Sequence, residues 1–165
     1  MKKLILSIFC LFHIGIGYAQ DVWPSHKVTD INGKIRDLKS YAPDSGVVLF
    51  VFWKTCCPNN VTMINELQEV WLDYNDTDKP VKIVLVSVDD QRSVSRVKPI
   101  VSTNGWEFDV IIDKNMDMAR MYHINIPPQW IVCDTEGNII YRSKITNGYL
   151  DSGMYFEEIV QLIQK

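Results

Sequence analysis

Two adjacent cysteines, Cys56 and Cys57, are the residues of this sequence best suited to covalent chemistry. They follow a run of apolar residues and precede Pro58, a residue that suits the first turn of a helix. A cysteine at the start of a helix lies near unpaired backbone N–H groups and the positive end of the helix dipole, which favour the thiolate. Because thiolates attack disulfides, the sequence predicts a nucleophilic thiol at Cys57.

The elements on either side of Cys57 are predicted from their apolar patterns. Residues 47–53 form a nearly continuous apolar run, which is typical of a strand covered on both faces. From Pro58 to about Asn75, apolar residues recur at three- and four-residue steps, which indicates an amphipathic helix. Residues 82–88 form a second strand of the buried type. This order of strand, helix and strand predicts a parallel crossover.

The rest of the chain continues to alternate short apolar runs with amphipathic stretches. A helix is expected over residues 93–101, and Pro99 is expected to bend it or to end it early. The later predictions are a strand at 110–112, a helix at 116–122, a strand ending at Asp134, a hairpin strand at 139–141 and a helix at about 151–164. The 165 residues are therefore predicted to hold one α/β domain.

The N-terminal end has the pattern of a secretory signal peptide. Two lysines precede an apolar run over residues 4–16, and small residues lead up to Ala19. The run is too short to span a bilayer comfortably, so cleavage is expected rather than retention as an anchor. We therefore predict a signal peptide over residues 1–20 and one domain over residues 21–165. The domain is expected to be exported to the bacterial periplasm, with no stable membrane insertion after the signal peptide is cleaved.

Cleavage of that segment would change the cysteine content and the charge of the chain. The cysteines left are Cys56, Cys57 and Cys133, an odd number in a compartment where paired cysteines oxidise readily. At least one thiol is therefore expected to stay unpaired. The formal net charge of −3 becomes more negative, because the lost segment carries two lysines and no acid. The charge gives no indication of nucleic acid as a partner.

The stretch FWKTCCPNN, from Phe52 to Asn60, resembles the active-site signature of secreted thioredoxin-like reductases of the TlpA/ResA type. That signature runs Phe-Trp-x-Thr-Trp-Cys-x-x-Cys. Three further stretches match the family's layout, namely SVDDQRSVSRVKP, GWEFDVIIDKN and YHINIPPQWIVCDTEGNIIY. The resemblance covers nearly all of the chain after the signal peptide. It implies a thioredoxin-like fold, with a central mixed β-sheet flanked by helices, and thiol-disulfide oxidoreductase activity.

The same signature assigns roles to three residues around the reactive thiol. Cys57 falls on the family's attacking cysteine, and Cys56 falls on the tryptophan before it. Asn60 stands where the family has its resolving cysteine, whose attack releases the product, and an amide cannot perform that step. Cys56 is a candidate replacement, but a disulfide between adjacent residues closes a small, distorted ring. These assignments favour exchange or isomerisation through Cys57, with release by an external thiol.

The resemblance also implies a surface that receives an extended substrate segment. It implies a cis peptide bond before Pro128, facing Cys57, with Pro127 as the apolar neighbour; cis prolines are rare. Trp53 and Thr55 are expected to shape this surface, or Trp53 to pack at the strand end and Thr55 to satisfy local backbone groups, and the two roles are compatible. The candidate substrate-binding residues are Trp53, Thr55, Pro58, Pro127 and Pro128.

The remaining residues with reactive or metal-binding side chains favour structural roles. Glu66 and Glu69 are the nearby acids on the predicted helix, but neither falls on its apolar stripe, so solvated positions are expected. His26 and His123 lack the close Cys/His spacing of a structural zinc site. Cys133 follows a strand pattern and is expected to pack in the core. No cofactor or metal is predicted.

The sequence leaves three functions open. The first is an exported thiol-disulfide oxidoreductase/isomerase that acts through Cys57 on protein disulfides of the cell envelope, with an external thiol reductant. The second is a redox-silent thioredoxin-like binding module, indicated by the missing resolving cysteine. The third is a peroxiredoxin-like peroxidase, indicated by the Cys57-Pro58 pair. Against it, Lys54 and Phe50 stand where that branch has a threonine and a proline.

Overall fold

The structure is a computed structural model that describes residues 23–74, 79–144 and 150–164. The predicted signal peptide lies outside these residues. Within the described ranges, no helix combines the length and the apolar character needed to cross a membrane. The strands are β1 (Lys27–Asp30), β2 (Ile35–Asp37), β3 (Val47–Trp53), β4 (Val81–Ser87), β5 (Asp109–Ile112), β6 (Gln129–Cys133) and β7 (Ile139–Arg142). The helices are α1 (Pro58–Tyr74), α2 (Val97–Asn104), α3 (Asp117–Met121) and α4 (Ser152–Ile163).

The strands form one mixed sheet in the spatial order β2-β1-β5-β4-β3-β6-β7. All seven residues of β3 are buried, because the sheet is covered on both faces. Val51 and Trp53 pack in a cluster with residues of α1 and α4. Phe50 and Phe52, which point to the opposite face, pack in a second cluster with residues of α3. The predicted central sheet flanked by helices is therefore confirmed.

The register of β3 determines which loops meet near its end. β3 runs parallel to β4, with Trp53 opposite Ser87, as the predicted crossover requires. On its other side β3 is antiparallel to β6, with Phe52 opposite Gln129. The loops that follow β3 and β4 and the loop that precedes β6 therefore lie at one edge of the sheet.

The helix predicted over residues 93–101 differs from the structure in its start and its length. A 3₁₀ turn over Val94–Arg96 precedes α2, which extends to Asn104. Pro99 is the third residue of α2, where a backbone N–H has no partner within the helix. The missing N–H of proline therefore costs no hydrogen bond, and the expectation that Pro99 would end the helix early is wrong.

A hairpin near the N-terminus was not predicted. β1 and β2 are antiparallel, and β1 also pairs with β5, with Thr29 opposite Ile112. The turn between them contains Gly33 at a φ of 79°, a conformation that glycine adopts without steric cost. The hairpin extends the sheet on the side away from β6.

Candidate active site

Cys57 lies in the short loop between β3 and α1, directly before Pro58, which is the first residue of the helix. Its side chain is half-buried, whereas the neighbouring Cys56 is exposed. Both cysteines are free thiols, and their sulfur atoms lie 3.3 Å apart, within hydrogen-bond range. The predicted position of Cys57 between a strand and a helix is confirmed.

The neighbouring thiol changes the acidity expected for Cys57. The hydrogen bond with Cys56 raises the pKa of Cys57, because it favours the protonated form, and partial burial and the negative charge of Asp89 act in the same direction. The positive charge of Lys54 acts in the opposite direction and lowers it. The sequence predicts that the start of the helix favours the thiolate of Cys57. The structure adds a second thiol that opposes this effect, so the reduced pair is held towards the protonated form.

Asp89 is a buried carboxylate that sequence reasoning missed at this site. It lies two residues after β4 and is 1% exposed. Its oxygens accept hydrogen bonds from the backbone N–H of Thr55 at 3.0 Å and from the Thr55 hydroxyl at 2.6 Å. The Ser87 hydroxyl donates a third hydrogen bond at 2.9 Å. Asp89 therefore anchors the loop that carries the two cysteines, and Thr55 serves as its partner there.

Asn60, at the position of the family's resolving cysteine, has a structural role in the same loop. It is fully buried, and its side-chain N–H donates to the backbone carbonyl of Lys54 at 3.1 Å. Its backbone N–H donates to the carbonyl of Cys57 at 2.9 Å. Its side-chain oxygen is buried and has no hydrogen-bond partner among the residues that the structure describes. Asn60 therefore closes the turn between β3 and α1 and offers no sulfur to the site.

Trp53, a candidate for substrate contact, is fully buried at the end of β3. Its ring packs edge-to-face against Trp106, with 5.3 Å between the ring centroids. Such pairs stabilise a core beyond the area they bury. The predicted packing role of Trp53 therefore describes its position in this structure. The residues on either side of Cys57, Cys56 and Pro58, are both exposed.

The proline loop lies at the same edge of the sheet. The peptide bond between Pro127 and Pro128 is cis, at the position that the family resemblance implies. Pro128 is buried and Pro127 is half-buried. Strand β6 begins directly afterwards at Gln129, which is paired with Phe52. This register brings the cis bond to the end of β3, beside the loop that contains Cys57.

The remaining candidate residues lie apart from this arrangement. Glu66 is half-buried and Glu69 is exposed on α1. His26 is half-buried near the start of β1, and His123 is exposed after α3. Cys133 is fully buried in β6, and burial raises its pKa to about 12, so its predicted core position is confirmed.

Comparison with known proteins agrees with this geometry. The model of the AhpC/TSA family matches residues 19–142 of the chain. The thiol-disulfide oxidoreductase ResA of Bacillus thuringiensis is 29% identical over 121 residues, which cover 73% of this chain and 66% of that protein, slightly less than two thirds of its length. The protein of the same name from Halalkalibacterium halodurans is 24% identical, over 96% of this chain and 93% of that protein.

A solved structure supports the fold assignment. The solution structure of a thioredoxin-like protein from Porphyromonas gingivalis has a TM-score of 0.69, with 24% sequence identity. The match covers 87% of this chain and 93% of that one. The thioredoxin-like fold implied by the sequence resemblance is therefore confirmed.

Proposed function

Since this chain belongs to the AhpC/TSA family, we propose that it is an exported thiol-disulfide oxidoreductase/isomerase of the thioredoxin-like type. Cys57 is the sulfur that attacks protein disulfides. The observation that carries the proposal is its half-buried free thiol directly before α1, at the end of the sheet where the Pro127–Pro128 loop also lies. The names of the two ResA proteins described above support the same reaction class.

The reaction begins when Cys57 loses its proton to solvent. Its thiolate then attacks one sulfur of a substrate disulfide, a mixed disulfide forms, and the other substrate sulfur leaves as a thiolate. The positive charge of Lys54 favours the thiolate needed for this step. The site therefore needs only one sulfur for attack on the substrate.

The fate of the mixed disulfide decides which reaction is completed. If the thiolate that left the substrate attacks a different disulfide of the same protein, and a substrate thiol later releases Cys57, the result is isomerisation with no net oxidation or reduction. If a thiol outside the substrate releases the product, the substrate disulfide is reduced. Asn60 supplies no thiol for either route. The cysteine pattern therefore favours isomerisation, because this reaction needs neither a resolving cysteine nor a thiol from outside the substrate.

The proposed substrates are proteins of the bacterial cell envelope, in the periplasm. The support is the N-terminal sequence, with two lysines, an apolar run over residues 4–16 and small residues before Ala19. In an oxidising compartment, wrong disulfides form readily and an exchange catalyst has substrates available. An external thiol reductant would keep Cys57 reduced between cycles.

The test is refolding of scrambled ribonuclease in a glutathione buffer, with the purified protein as catalyst. We expect refolding to be accelerated by the unaltered protein and by Cys56→Ser, because both retain the attacking sulfur. Cys57→Ser should lose the acceleration. The two substitutions are matched controls, since they remove adjacent thiols of the same size from the same loop.

Two other outcomes would point to the alternative functions. If neither the unaltered protein nor Cys57→Ser accelerates refolding, thiol exchange through Cys57 is contradicted and a redox-silent binding module explains the fold better. Consumption of hydrogen peroxide that depends on Cys57, without refolding activity, would instead indicate the peroxidase.

A further inference from the structure

We propose that Cys56 is the resolving thiol of this site. It attacks the mixed disulfide formed at Cys57, releases the substrate and closes a disulfide between the two adjacent cysteines. The inference rests on the proposed function, because it requires that Cys57 first attack a substrate disulfide. It gives Cys56 the role of the family's resolving cysteine, whose position is occupied by Asn60 in this chain.

The geometry of the pair carries this proposal. The two sulfur atoms lie 3.3 Å apart in the reduced protein, so Cys56 is already in contact with the sulfur that would hold the substrate. The side chain of Cys56 is exposed and that of Cys57 is half-buried, so a substrate linked to Cys57 can be attacked at the surface of the protein. Both cysteines lie in the loop between β3 and α1, so the bond would close within one short segment of the chain.

Neither Asn60 nor Cys133 is placed to act as the resolving thiol. Asn60 is buried, and its side-chain N–H is engaged with the carbonyl of Lys54. Cys133, the other cysteine within the described residues, is fully buried in the cluster that contains Phe50 and Phe52. Of the described cysteines, Cys56 alone touches Cys57.

The proposed step is balanced in atoms and electrons. The thiolate of Cys56 attacks the sulfur of Cys57, the bond between Cys57 and the substrate breaks, and the substrate sulfur leaves as a thiolate that takes a proton from water. Over both steps one substrate disulfide is reduced to two thiols, and the two cysteines are oxidised to one disulfide. A dithiol reductant returns the pair to thiols by the reverse exchange.

The spacing of adjacent residues makes the closed form easy to reopen. The Cα atoms of neighbouring residues are about 3.8 Å apart across a trans peptide bond. Disulfides usually join Cα atoms separated by about 4.4–6.8 Å, and deviations make the bond more reducible. The closed pair is therefore an intermediate that a dithiol reductant opens readily, and the reduced pair is the resting state.

The test is a single-turnover reaction with dithiodipyridine, a disulfide that releases a coloured thione. The reduced protein receives one reagent molecule per chain, in dilute solution without oxygen. If Cys56 resolves, the unaltered protein releases two thiones per chain and becomes two hydrogens lighter by mass, with no adduct. Cys56→Ser should release half as much thione and retain a pyridylthio adduct on Cys57.

The outcomes separate this inference from the proposed function. A stable adduct on the unaltered protein, or a disulfide-linked dimer in place of the lighter monomer, would overturn the role of Cys56 while leaving attack by Cys57 intact. If Cys57→Ser reacts with the first reagent molecule as fast as the unaltered protein, the proposed function itself fails. The expected result is that Cys57→Ser reacts more slowly and Cys56→Ser stops at the adduct.

Discussion

Asp89 accepts hydrogen bonds from both the backbone N–H and the hydroxyl of Thr55, at 3.0 and 2.6 Å. A buried carboxylate beyond the end of β4 thus holds the loop that follows β3. Because the two strands are parallel neighbours, their following loops lie at the same edge of the sheet, and the contact joins them there. The position of the cysteine pair depends on this contact as well as on the start of α1.

Removing the Asp89 carboxylate should destabilise the fold and change the acidity of Cys57. Asp89→Ala leaves the donors of Thr55 and Ser87 without their partner, so we expect a loss of about 3 kcal/mol in the free energy of unfolding. Asp89→Asn should cost less, because an amide retains one acceptor. The loss of negative charge should also lower the pKa of Cys57, since Asp89 raises it.

Urea unfolding and the pH dependence of Cys57 alkylation measure these two effects. Asp90→Ala is the comparison variant, because Asp90 is an exposed carboxylate on the same loop that accepts hydrogen bonds from Arg92 and Ser93 rather than from Thr55. Equal losses of stability for Asp89→Ala and Asp90→Ala would contradict the anchoring role.

The Cys56 thiol should control how readily Cys57 ionises. The hydrogen bond between the sulfurs is the largest cause that raises the pKa of Cys57. Cys56→Ala removes it, so the pH midpoint of Cys57 alkylation by iodoacetamide should fall and more thiolate should be present at neutral pH. A midpoint that is unchanged or higher in Cys56→Ala would show that the contact does not set the acidity.

Cys133 should be inert in the folded protein. Burial raises its pKa to about 12, whereas an unperturbed thiol ionises near pH 8.5, so at pH 9 it remains protonated and inaccessible. Alkylation at this pH followed by peptide mapping should label Cys56 and Cys57 and leave Cys133 unlabelled until denaturant is added. Labelling of Cys133 without denaturant would show that β6 opens under native conditions.

Asn60→Cys should restore the two-cysteine spacing of the family signature. The new thiol is placed three residues after Cys57 on the first turn of α1, where the family has its resolving cysteine. In a chain that also carries Cys56→Ser, this change should release the adduct that Cys56→Ser alone retains. Intact mass after one equivalent of dithiodipyridine measures the release. Persistence of the adduct would mean that position 60 cannot reach Cys57 in this loop.

The strand and the helix on either side of the cysteine pair could be predicted from the sequence, because their apolar patterns are strong. The apolar run at 47–53 matches β3 residue for residue, and Pro58 begins α1 as expected. A continuous apolar run requires burial on both faces, and apolar spacing of three and four requires one helix face in the core. These requirements hold whatever the partners of the elements are.

Other features depend on contacts that a linear pattern does not contain. Strand β2 is exposed throughout, so it lacks the apolar alternation of a half-buried strand. The Asn32-Gly33 pair was the available indication of its hairpin turn. Asp89 could have been found from the parallel crossover, because it follows the strand beside β3. The contact between the Cys56 and Cys57 sulfurs depends on side-chain rotamers, which the sequence pattern does not specify.

The most direct test of the central claim is to locate the covalent bond formed with a protein disulfide. Cys56→Ser is incubated with scrambled ribonuclease, free thiols are blocked with iodoacetamide, and the mixed disulfide is isolated and mapped by mass spectrometry. We predict that ribonuclease is linked to Cys57 and that Cys57→Ser yields no such complex. A complex linked elsewhere, or none from Cys56→Ser, would contradict attack by Cys57 on protein disulfides.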